Sequence, residues 1–369
     1  MKLTIPKDQL IAGLQSVQNI VGARTTLPIL SNVLIQADSG KVEFTATDLD
    51  VTISCTVQGE VKSAGKTTLP VKRLFGIARE LPAPSIDLEV DSKNIVTLQA
   101  GGSFYRMHGL AADEFPPVAK AADNRKLTLP MDKFRSMLRR SGIAMSTDES
   151  RYVLNGVFMK FAPDKVTMVA TDGRRLALDE EEMDTPGTAE GSFILPTKAC
   201  TELGRLMQDK GEVEIRFTES QAFFSVRPEG GAPVQLISKL VEGNYPNYNQ
   251  VIPKETKERI SLQREEFLQA LRRAELMTSE KSNSVKLSFE KNRLDITANT
   301  PEIGEGRESL GVNYKGRDLA VAFNPTYLMD PLKVLETDEV FLELTDELSP
   351  GLLKINGPFL YVLMPMRMS

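Results

Sequence analysis

The chain has 369 residues, of which 41% are hydrophobic and 26% charged, a balance typical of globular proteins with two to four domains. Its apolar residues fall in short segments, so the sequence predicts no membrane span and no signal peptide. With Cys55 and Cys200 as its only cysteines, it predicts no disulfide framework and a cytoplasmic location. The net charge of −5 argues against nucleic-acid binding unless the charges are unevenly distributed.

In chain order, the first feature is a short alternating strand followed by an amphipathic helix, and this pair occurs three times. The strands are predicted at 3–6, 127–130 and 260–262. Each is followed by apolar residues at i, i+3, i+4 and i+7, which indicate a helix with one buried face. Pro6 and Pro130 are predicted in the first turn of their helices, where a missing N–H costs nothing.

Each copy continues with two alternating strands, a second helix and further strands. The two strands end at Ala46, Ala170 and Ala298 with a following polar pair, so the matching alanines are 124 and 128 residues apart. The second helix is predicted within 69–81, 195–207 and 323–335. A register kept through four successive elements predicts three tandem α+β domains, over 1–122, 123–252 and 253–369. The alternative is one large β-rich domain with coincidental helices.

The charges are segregated between the helices and the rest of the chain. The predicted helices carry a net charge of +6, which leaves −11 for everything else. Arg135, Arg139 and Arg140 are predicted to lie opposite the apolar face of their helix. Helices facing one side would form a basic lining suited to phosphate contact without base reading. The alternative is that these are ordinary solvated helix faces.

The sequence offers little for catalysis. There is one histidine, His108, and no HExxH, CxxC, GxSxG or Walker motif. The acidic run 179–182 is interpreted as a solvated strand end rather than as a divalent-ion site. We therefore predict no catalytic residue, no cofactor and no metal, with a β-rich enzyme on a repeated scaffold as the alternative from another class.

Four motifs within the repeat resemble the β subunit of bacterial DNA polymerase III, the sliding clamp family, over essentially the whole chain. They are Thr25-Thr26-Leu27-Pro28-Ile29-Leu30, Arg151-Tyr152-Val153-Leu154-Asn155-Gly156, Ala170-Thr171-Asp172-Gly173-Arg174-Arg175-Leu176 and Tyr361-Val362-Leu363-Met364-Pro365-Met366-Arg367. The resemblance implies three clamp domains per chain and a head-to-tail homodimer, a six-domain ring with helices lining the pore and sheets outside. It implies a non-catalytic processivity factor that a clamp-loader complex places on double-stranded DNA. The ring then slides and tethers the replicative polymerase and other proteins.

The resemblance also implies three sets of site residues. Implied DNA-contacting positions are Arg24, Arg73, Lys198 and Arg205. An implied pocket for partner peptides has three walls, formed by Leu154, Thr171, Gly173, Arg174, Arg175 and Leu176, by Pro246 and Val251, and by Val362, Met364, Pro365, Met366 and Arg367. The implied dimer interface pairs Tyr105 and Met107 with Leu276 and Met277, supported by Glu302, Glu305 and Glu308.

The chain departs from the family pattern at three places. Arg307 interrupts the acidic stretch, the acidic loop 146–150 falls where DNA is expected, and Gln250 occupies a pocket position that is basic in some members. Two related interpretations stay open: a specialised paralogous clamp, and a monomeric peptide-binding scaffold that never closes on DNA. For Met364 and Met366, the alternative to a pocket wall is simple core filling.

Overall fold

The computed structural model describes residues 1–22, 27–120, 125–183, 190–280 and 282–367. Their contacts divide the chain into two compact units. Unit 1 contains the described residues of 1–135 and 198–240, and unit 2 contains those of 136–183, 190–197 and 241–367. The units therefore do not coincide with the three sequence repeats, because the second repeat contributes strands to both.

Among the residues that the structure describes, each repeat has two α-helices and eight or nine strands. In the first repeat these are β1 (Lys2–Pro6), α1 (Lys7–Val17), β2 (Asn32–Asp38), β3 (Lys41–Thr47), β4 (Val51–Gln58), β5 (Glu60–Ser63), β6 (Gly65–Pro70), α2 (Val71–Glu80), β7 (Ser85–Val90), β8 (Ile95–Ala100) and β9 (Ser103–His108). In the second they are β10 (Lys126–Pro130), α3 (Met131–Gly142), β11 (Gly156–Ala162), β12 (Lys165–Thr171), β13 (Arg175–Glu182), β14 (Gly191–Pro196), α4 (Thr197–Leu206), β15 (Gly211–Phe217), β16 (Gln221–Pro228) and β17 (Val234–Lys239). In the third they are β18 (Glu258–Gln263), α5 (Arg264–Glu275), β19 (Val285–Glu290), β20 (Arg293–Thr300), β21 (Gly304–Gly311), β22 (Leu319–Phe323), α6 (Pro325–Val334), β23 (Glu339–Leu344), β24 (Gly351–Lys354) and β25 (Phe359–Leu363).

All four sheets are antiparallel, and two of them continue from one repeat into the next. Unit 1 holds the five-stranded sheet β5-β1-β7-β8-β9 and the eight-stranded sheet β10-β15-β16-β17-β4-β3-β2-β6. Unit 2 holds the eight-stranded sheet β14-β11-β12-β13-β25-β24-β23-β18 and the four-stranded sheet β21-β20-β19-β22. The repeats are thus joined by strand pairing, at β4–β17 and at β13–β25.

The helices pack on the sheets through the apolar stripes that the sequence predicts, α1 on β3 and β4 and α5 on β20 and β21. α1 buries Leu10, Leu14 and Val17. It approaches the sheet so closely that a Cβ on Gly13 would lie 2.5 Å from the ring of the buried Phe44. Glycine at this position therefore permits the helix to pack directly on β3.

The structure corrects two sequence predictions about helix starts and acidic residues. Pro6 and Pro130 end strands β1 and β10, and the helices begin one residue later; Pro6 has extended backbone with ψ of 138°. The acidic run is not a solvated strand end at Asp179, which is fully buried and accepts a hydrogen bond from Arg140. Arg140 consequently lies half-buried beneath its helix, because a buried carboxylate requires a charged partner.

On the eight-stranded sheet of unit 1, Glu214 of β15 is surrounded by three basic side chains. Its carboxylate lies 2.9 Å from Arg216 Nε, 3.2 Å from Arg227 Nη2 and 3.3 Å from Lys126 Nζ, and its side chain is 9% exposed. Burial opposes the charge, but Arg216 and Lys126 outweigh it and lower the pKa of Glu214 below its ordinary value of 4.5.

A lowered pKa in the folded state means that the charged carboxylate stabilises the fold above pH 4.5, and that this contribution is lost as the pH falls below it. We expect Glu214→Gln to lower the free energy of unfolding at neutral pH by about 1 to 3 kcal/mol, with a smaller difference in acid. Urea unfolding at neutral pH and below pH 4.5 measures both. The control is Glu212→Gln, at an exposed position on the same strand. A difference that grows in acid would contradict the expectation.

Candidate functional site

An apolar cluster lies on the eight-stranded sheet of unit 2, where β13 pairs with β25. Its buried members are Val169, Leu176, Leu352 and Val362, which we call the apolar cluster. Val362 lies opposite Leu176 on one side and opposite Leu352 on the other. Because side chains alternate between the two faces of a strand, these neighbours in register share one face.

Aromatic side chains from β11 and from the segment after β17 border the apolar cluster. Phe158, Tyr245, Tyr248 and Ile252 are partly buried against it. The rings of Phe158 and Tyr245 stack with centroids 5.0 Å apart at an interplanar angle of 13°. Burial raises the pKa of Tyr245, so its hydroxyl stays protonated at neutral pH. The segment thus forms an apolar rim that continues to the exposed Val251.

The residues after β25 extend the cluster with exposed methionines. The Met364 N–H donates to the Arg174 carbonyl at 3.0 Å, and the Met366 N–H donates to the Ala322 carbonyl at 2.8 Å. These backbone bonds hold the tail in place while the side chains of Met364 and Met366 remain 43% and 38% exposed. The methionines therefore do not simply fill the core, and thioether side chains adapt well to different apolar ligands.

The turn between β12 and β13 holds a second wall next to the cluster. The Asp172 carboxylate accepts from the backbone N–H groups of Arg174 at 2.8 Å and Arg175 at 3.0 Å. Gly173 has a φ of +84°, and a Cβ added there would lie 2.7 Å from Arg151 Nη1. The Arg151 guanidinium therefore lies over the turn. The sequence prediction of the pocket missed Arg151, although this residue opens one of the four motifs.

We expect Gly173→Ala to lower the free energy of unfolding by about 1 kcal/mol, because L residues rarely adopt positive φ, and to displace Arg151. Urea unfolding measures the change in stability. Gly204→Ala is the control, since Gly204 lies in α4 with open space around its Cα and alanine favours the helix. Equal stability changes in both variants would contradict the expectation.

Arg175 connects the turn between β12 and β13 to α6. Its Nε lies 3.1 Å from the Asp172 carboxylate, its Nη1 pairs with Asp330 of α6, and its guanidinium stacks 4.3 Å over the Tyr327 ring. Burial opposes the charge, but the Tyr361 hydroxyl and Asp330 raise the pKa of Arg175 further above its ordinary value. The predicted pocket residue Arg175 thus connects the turn to α6 rather than projecting into solvent.

The remaining predicted pocket residues lie around these walls. Leu154 is buried at the end of a short helical turn, Glu149–Leu154, directly before β11. Pro246 and Arg367 are exposed and Pro365 is half-buried. Sequence reasoning missed Val169, Leu352 and the aromatic rim. Their alternating apolar positions were visible, but nothing in the sequence distinguishes them from other core strands.

The predicted DNA-contacting residues have different surroundings. Arg24 lies outside the described residues. Arg73 is exposed on α2. Lys198 pairs with Asp48 and donates to the Ile20 carbonyl at 3.2 Å. Arg205 donates to the Gln15 and Ser16 carbonyls at 3.2 and 2.7 Å. Since these carbonyls lie near the end of α1, Arg205 is held by the negative end of that helix.

Basic charge is concentrated on three of the helices. α2, α3 and α4 carry net charges of +2, +3 and +1, while α1, α5 and α6 are neutral. Arg139 on α3 donates to the Val334 carbonyl at 2.7 Å and also pairs with Glu336. The basic helix faces are therefore partly engaged with neighbouring helix ends in the same unit.

The predicted interface residues of the first repeat lie on β9, an edge strand. Tyr105 is 40% exposed, and Phe104 beside it is 58% exposed. Met107 is only 7% exposed and packs into the core of unit 1. The edge strand thus presents aromatic rather than methionine side chains to solvent.

In the third repeat, the predicted interface residues lie beside the edge strand β21. Leu276 is 76% exposed, and Met277 packs on Gly306. Glu302 and Glu305 are exposed. The two charged neighbours on β21 are engaged within the sheet or with α5: Arg307 pairs with the buried Asp295, and Glu308 lies 2.6 Å from Arg273.

Neither a metal cluster nor a membrane span is found in the part of the chain that the structure describes. No group of three His, Cys, Asp or Glu side chains there could hold a metal ion. No helix there is long and apolar enough to cross a bilayer.

Comparison with known proteins gives matches over nearly the whole chain. Family models for the DNA polymerase III beta subunit match the N-terminal domain at residues 1–119, the central domain at 128–247 and the C-terminal domain at 249–367. The beta sliding clamp of Chlamydia muridarum is 34% identical over 100% of this chain and 99% of its own length. That of Bacillus subtilis is 33% identical over 96% of each.

Solved structures agree with the sequence matches. The sliding clamp of Bartonella birtlesii bound to griselimycin has a TM-score of 0.94 at 33% identity, and that of Bacillus subtilis has a TM-score of 0.94 at 31% identity. Both comparisons cover 100% of each chain. The fold is therefore three tandem clamp domains. The chain belongs to the DNA polymerase III beta subunit family, the non-catalytic sliding clamps of DNA replication.

Proposed function

We propose that this sliding clamp works as a head-to-tail homodimer that closes into a ring around duplex DNA. The observation that carries the proposal is the repeated pairing of strands between repeats. β4 of the first repeat pairs with β17 of the second, and β13 of the second pairs with β25 of the third. β21 and β9 occupy the equivalent positions and are edge strands. A second copy supplies a partner for each edge, which closes the ring.

The registers of the two existing junctions predict the register of this third one. Ala170 lies opposite Ala177 and Ala298 lies opposite Gly306, so Glu305 occupies the position of Leu176. The paired strands β1, β7, β8 and β9 of the first repeat correspond to β18, β23, β24 and β25 of the third. When the registers of these pairs are followed, Arg106 on β9 corresponds to Val362 on β25. Since Leu176 lies opposite Val362, we expect Glu305 on β21 to lie opposite Arg106 on β9 of a second copy.

We expect Arg106→Glu and Glu305→Arg each to weaken the homodimer about fivefold or more, because like charges then face each other across the junction. The two substitutions together restore the opposite charges and are expected to recover most of the lost affinity. Sedimentation equilibrium over a dilution series measures the dimer constant. Lys62→Glu, at an exposed position on β5, is the control. A double variant weaker than both single variants would rule out this register.

We propose that the helices face the DNA and contact its phosphates weakly and without reading bases. The positive charge on α2, α3 and α4 supports this, as does the exposed Arg73. Lys198 and Arg205 remain candidates at the ends of helices, and Arg24 remains a candidate from the family resemblance alone. Weak electrostatic contacts suit a ring that has to slide.

The apolar cluster, its aromatic rim and the exposed methionines form the proposed binding site for short peptides of the replicative polymerase and other partners. Buried Leu176 and Val362 provide the floor, while exposed Val251, Met364 and Met366 provide side chains that a ligand can cover. Clamps from Bartonella birtlesii and Pseudomonas aeruginosa have been solved bound to griselimycin, which supports a ligand site in this fold. Placement on DNA by a clamp-loader complex completes the proposal. A cytoplasmic location is supported by the small number of cysteines, since Cys55 and Cys200 are the two in the sequence and both are buried.

The test is retention on a nicked circular plasmid after loading by a clamp loader with ATP, before and after the plasmid is cut. We expect the protein to stay on the circle and to leave the linear form, because a closed ring is held by topology rather than by affinity. Equal retention on both forms would contradict ring closure.

A monomeric peptide-binding scaffold is the second candidate, favoured only by the extensive contacts that already hold each unit together. It predicts a monomer at all concentrations and no retention, with peptide binding intact. The same experiment, run beside sedimentation analysis, therefore separates the two functions. Complementation of a strain depleted of its own clamp would separate a housekeeping clamp from a specialised paralogue.

A further inference from the structure

Unit 1 contains a groove on its eight-stranded sheet that the proposed function does not use. Its volume is about 440 Å³, and it lies between the segment 118–120 at the end of the first repeat and strands β15, β16 and β17. We call it the connector groove; its walls include Val118, Lys120, Arg227 and the floor residues Phe223 and Ile237.

The connector groove occupies the same place in unit 1 as the apolar cluster does in unit 2. Ile237 on β17 lies opposite Thr52 of β4 on one side and opposite Phe223 of β16 on the other. In the same way, Val362 on β25 lies opposite Leu176 of β13 and Leu352 of β24. Phe223 and Ile237 are each 8% exposed, and Val118 above them is 40% exposed. The groove therefore has an apolar floor and an accessible apolar wall at the junction of the first two repeats.

Charged side chains surround the apolar floor of the connector groove. Among the described residues that line it, Lys120, Arg216 and Arg227 are basic and Glu214 is the one acidic residue. Glu214 is buried under the arginines, whereas the side chain of Arg227 is 54% exposed. The accessible rim is therefore positively charged, and an anionic ligand complements it.

We propose that the connector groove binds an acidic peptide segment of a partner protein. An apolar side chain of the peptide packs on Phe223, Ile237 and Val118, and flanking carboxylates pair with Arg227 and Lys120. An extended peptide matches a groove with an apolar floor and a charged rim, because side chains of alternate residues point in opposite directions. This site is separate from the peptide site of unit 2, so a clamp binds two different segments at once.

The test uses fluorescence anisotropy with the labelled peptide Glu-Glu-Leu-Phe-Glu-Glu and its counterpart Gln-Gln-Leu-Phe-Gln-Gln, titrated with the full-length protein. We expect the acidic peptide to bind and its glutamine counterpart to bind more weakly. Arg227→Glu and Val118→Asn are each expected to weaken binding of the acidic peptide about fivefold or more. Val118 is exposed and makes no ion pair, whereas Arg227 also pairs with the buried Glu214, so circular dichroism and urea unfolding verify that each variant is folded before its binding is compared.

Two controls locate the binding. Lys62→Glu, on a different sheet of unit 1, is expected to bind the acidic peptide normally. Met364→Asp, which disrupts the site in unit 2, is also expected to bind it normally, so failure of the proposed function and failure of this inference remain distinguishable. Binding that is absent at millimolar peptide, unchanged in Arg227→Glu, or lost in Met364→Asp would overturn the inference. Preferential binding of a labelled oligodeoxynucleotide at the groove would overturn it in favour of nucleic acid.

Discussion

Leu276→Asp is expected to convert the homodimer to a monomer and to abolish retention on circular DNA. Leu276 follows α5 beside the open edge strand β21, and its side chain is 76% exposed, so the chain itself does not require it for folding. A carboxylate placed in an apolar contact between two copies loses its hydration without gaining a partner, which costs about 2 kcal/mol or more at each of two interfaces. Dimer affinity is thus expected to fall by about a thousandfold.

Leu348→Asp is the matched control, because Leu348 is 74% exposed in the same unit and lies in the connection between β23 and β24, outside both edge strands β9 and β21. It carries the same chemical change and is expected to leave the dimer intact. Sedimentation equilibrium and plasmid retention measure both variants. If Leu276→Asp remains dimeric, Leu276 lies outside the interface and the proposed junction of β9 with β21 needs revision.

The second large effect is expected at the peptide site of unit 2. Met364→Asp places a carboxylate directly after β25, next to the apolar cluster, where a bound peptide would bury it. We expect affinity for the clamp-binding peptide of the replicative polymerase to fall at least about 30-fold, which corresponds to about 2 kcal/mol. Fluorescence anisotropy measures the affinity, and circular dichroism verifies that the variant is folded, as expected for a substitution at an exposed position.

Met364→Leu is the conservative comparison, since leucine keeps the apolar surface and nearly the same volume. It is expected to bind the peptide within about threefold of the original protein. Dimer formation and retention on circular DNA are expected to be normal in both variants, because the peptide site is not part of the proposed dimer junction of β9 with β21. Unchanged peptide affinity in Met364→Asp would remove Met364 from the site.

The sequence predicts the helices better than it predicts the sheets. The stripe of Leu10, Leu14 and Val17 has helical spacing, and α1 buries these residues. By contrast, β4 is not among the strands that the sequence predicts, although Val51 and Ile53 alternate with polar residues. Such a strand is recognised as essential only when its partners are known, and β4 pairs with β17 more than 170 residues later. Pairing over that separation is not encoded in any local pattern.

The residues of the candidate site likewise could not all be predicted from local sequence patterns. Its residues were proposed from family motifs, whereas Val169 and Leu352 have no property that separates them from other core residues in strands. Their role depends on the junction of β13 with β25, which brings distant parts of the chain together. The buried charges were also unpredictable: Asp179 is stabilised by Arg140 on a helix, and a sequence of acidic residues does not indicate where such a partner lies.

The continuity of the two eight-stranded sheets has a consequence for a repeat taken by itself. A single repeat would carry two open strand edges, the equivalents of β4 and β9, which in this chain belong to different sheets. Open edges are templates for pairing with another chain. The tandem arrangement covers such edges inside one chain, at β4–β17 and at β13–β25, and leaves β9 and β21 as the edges that a second copy would cover.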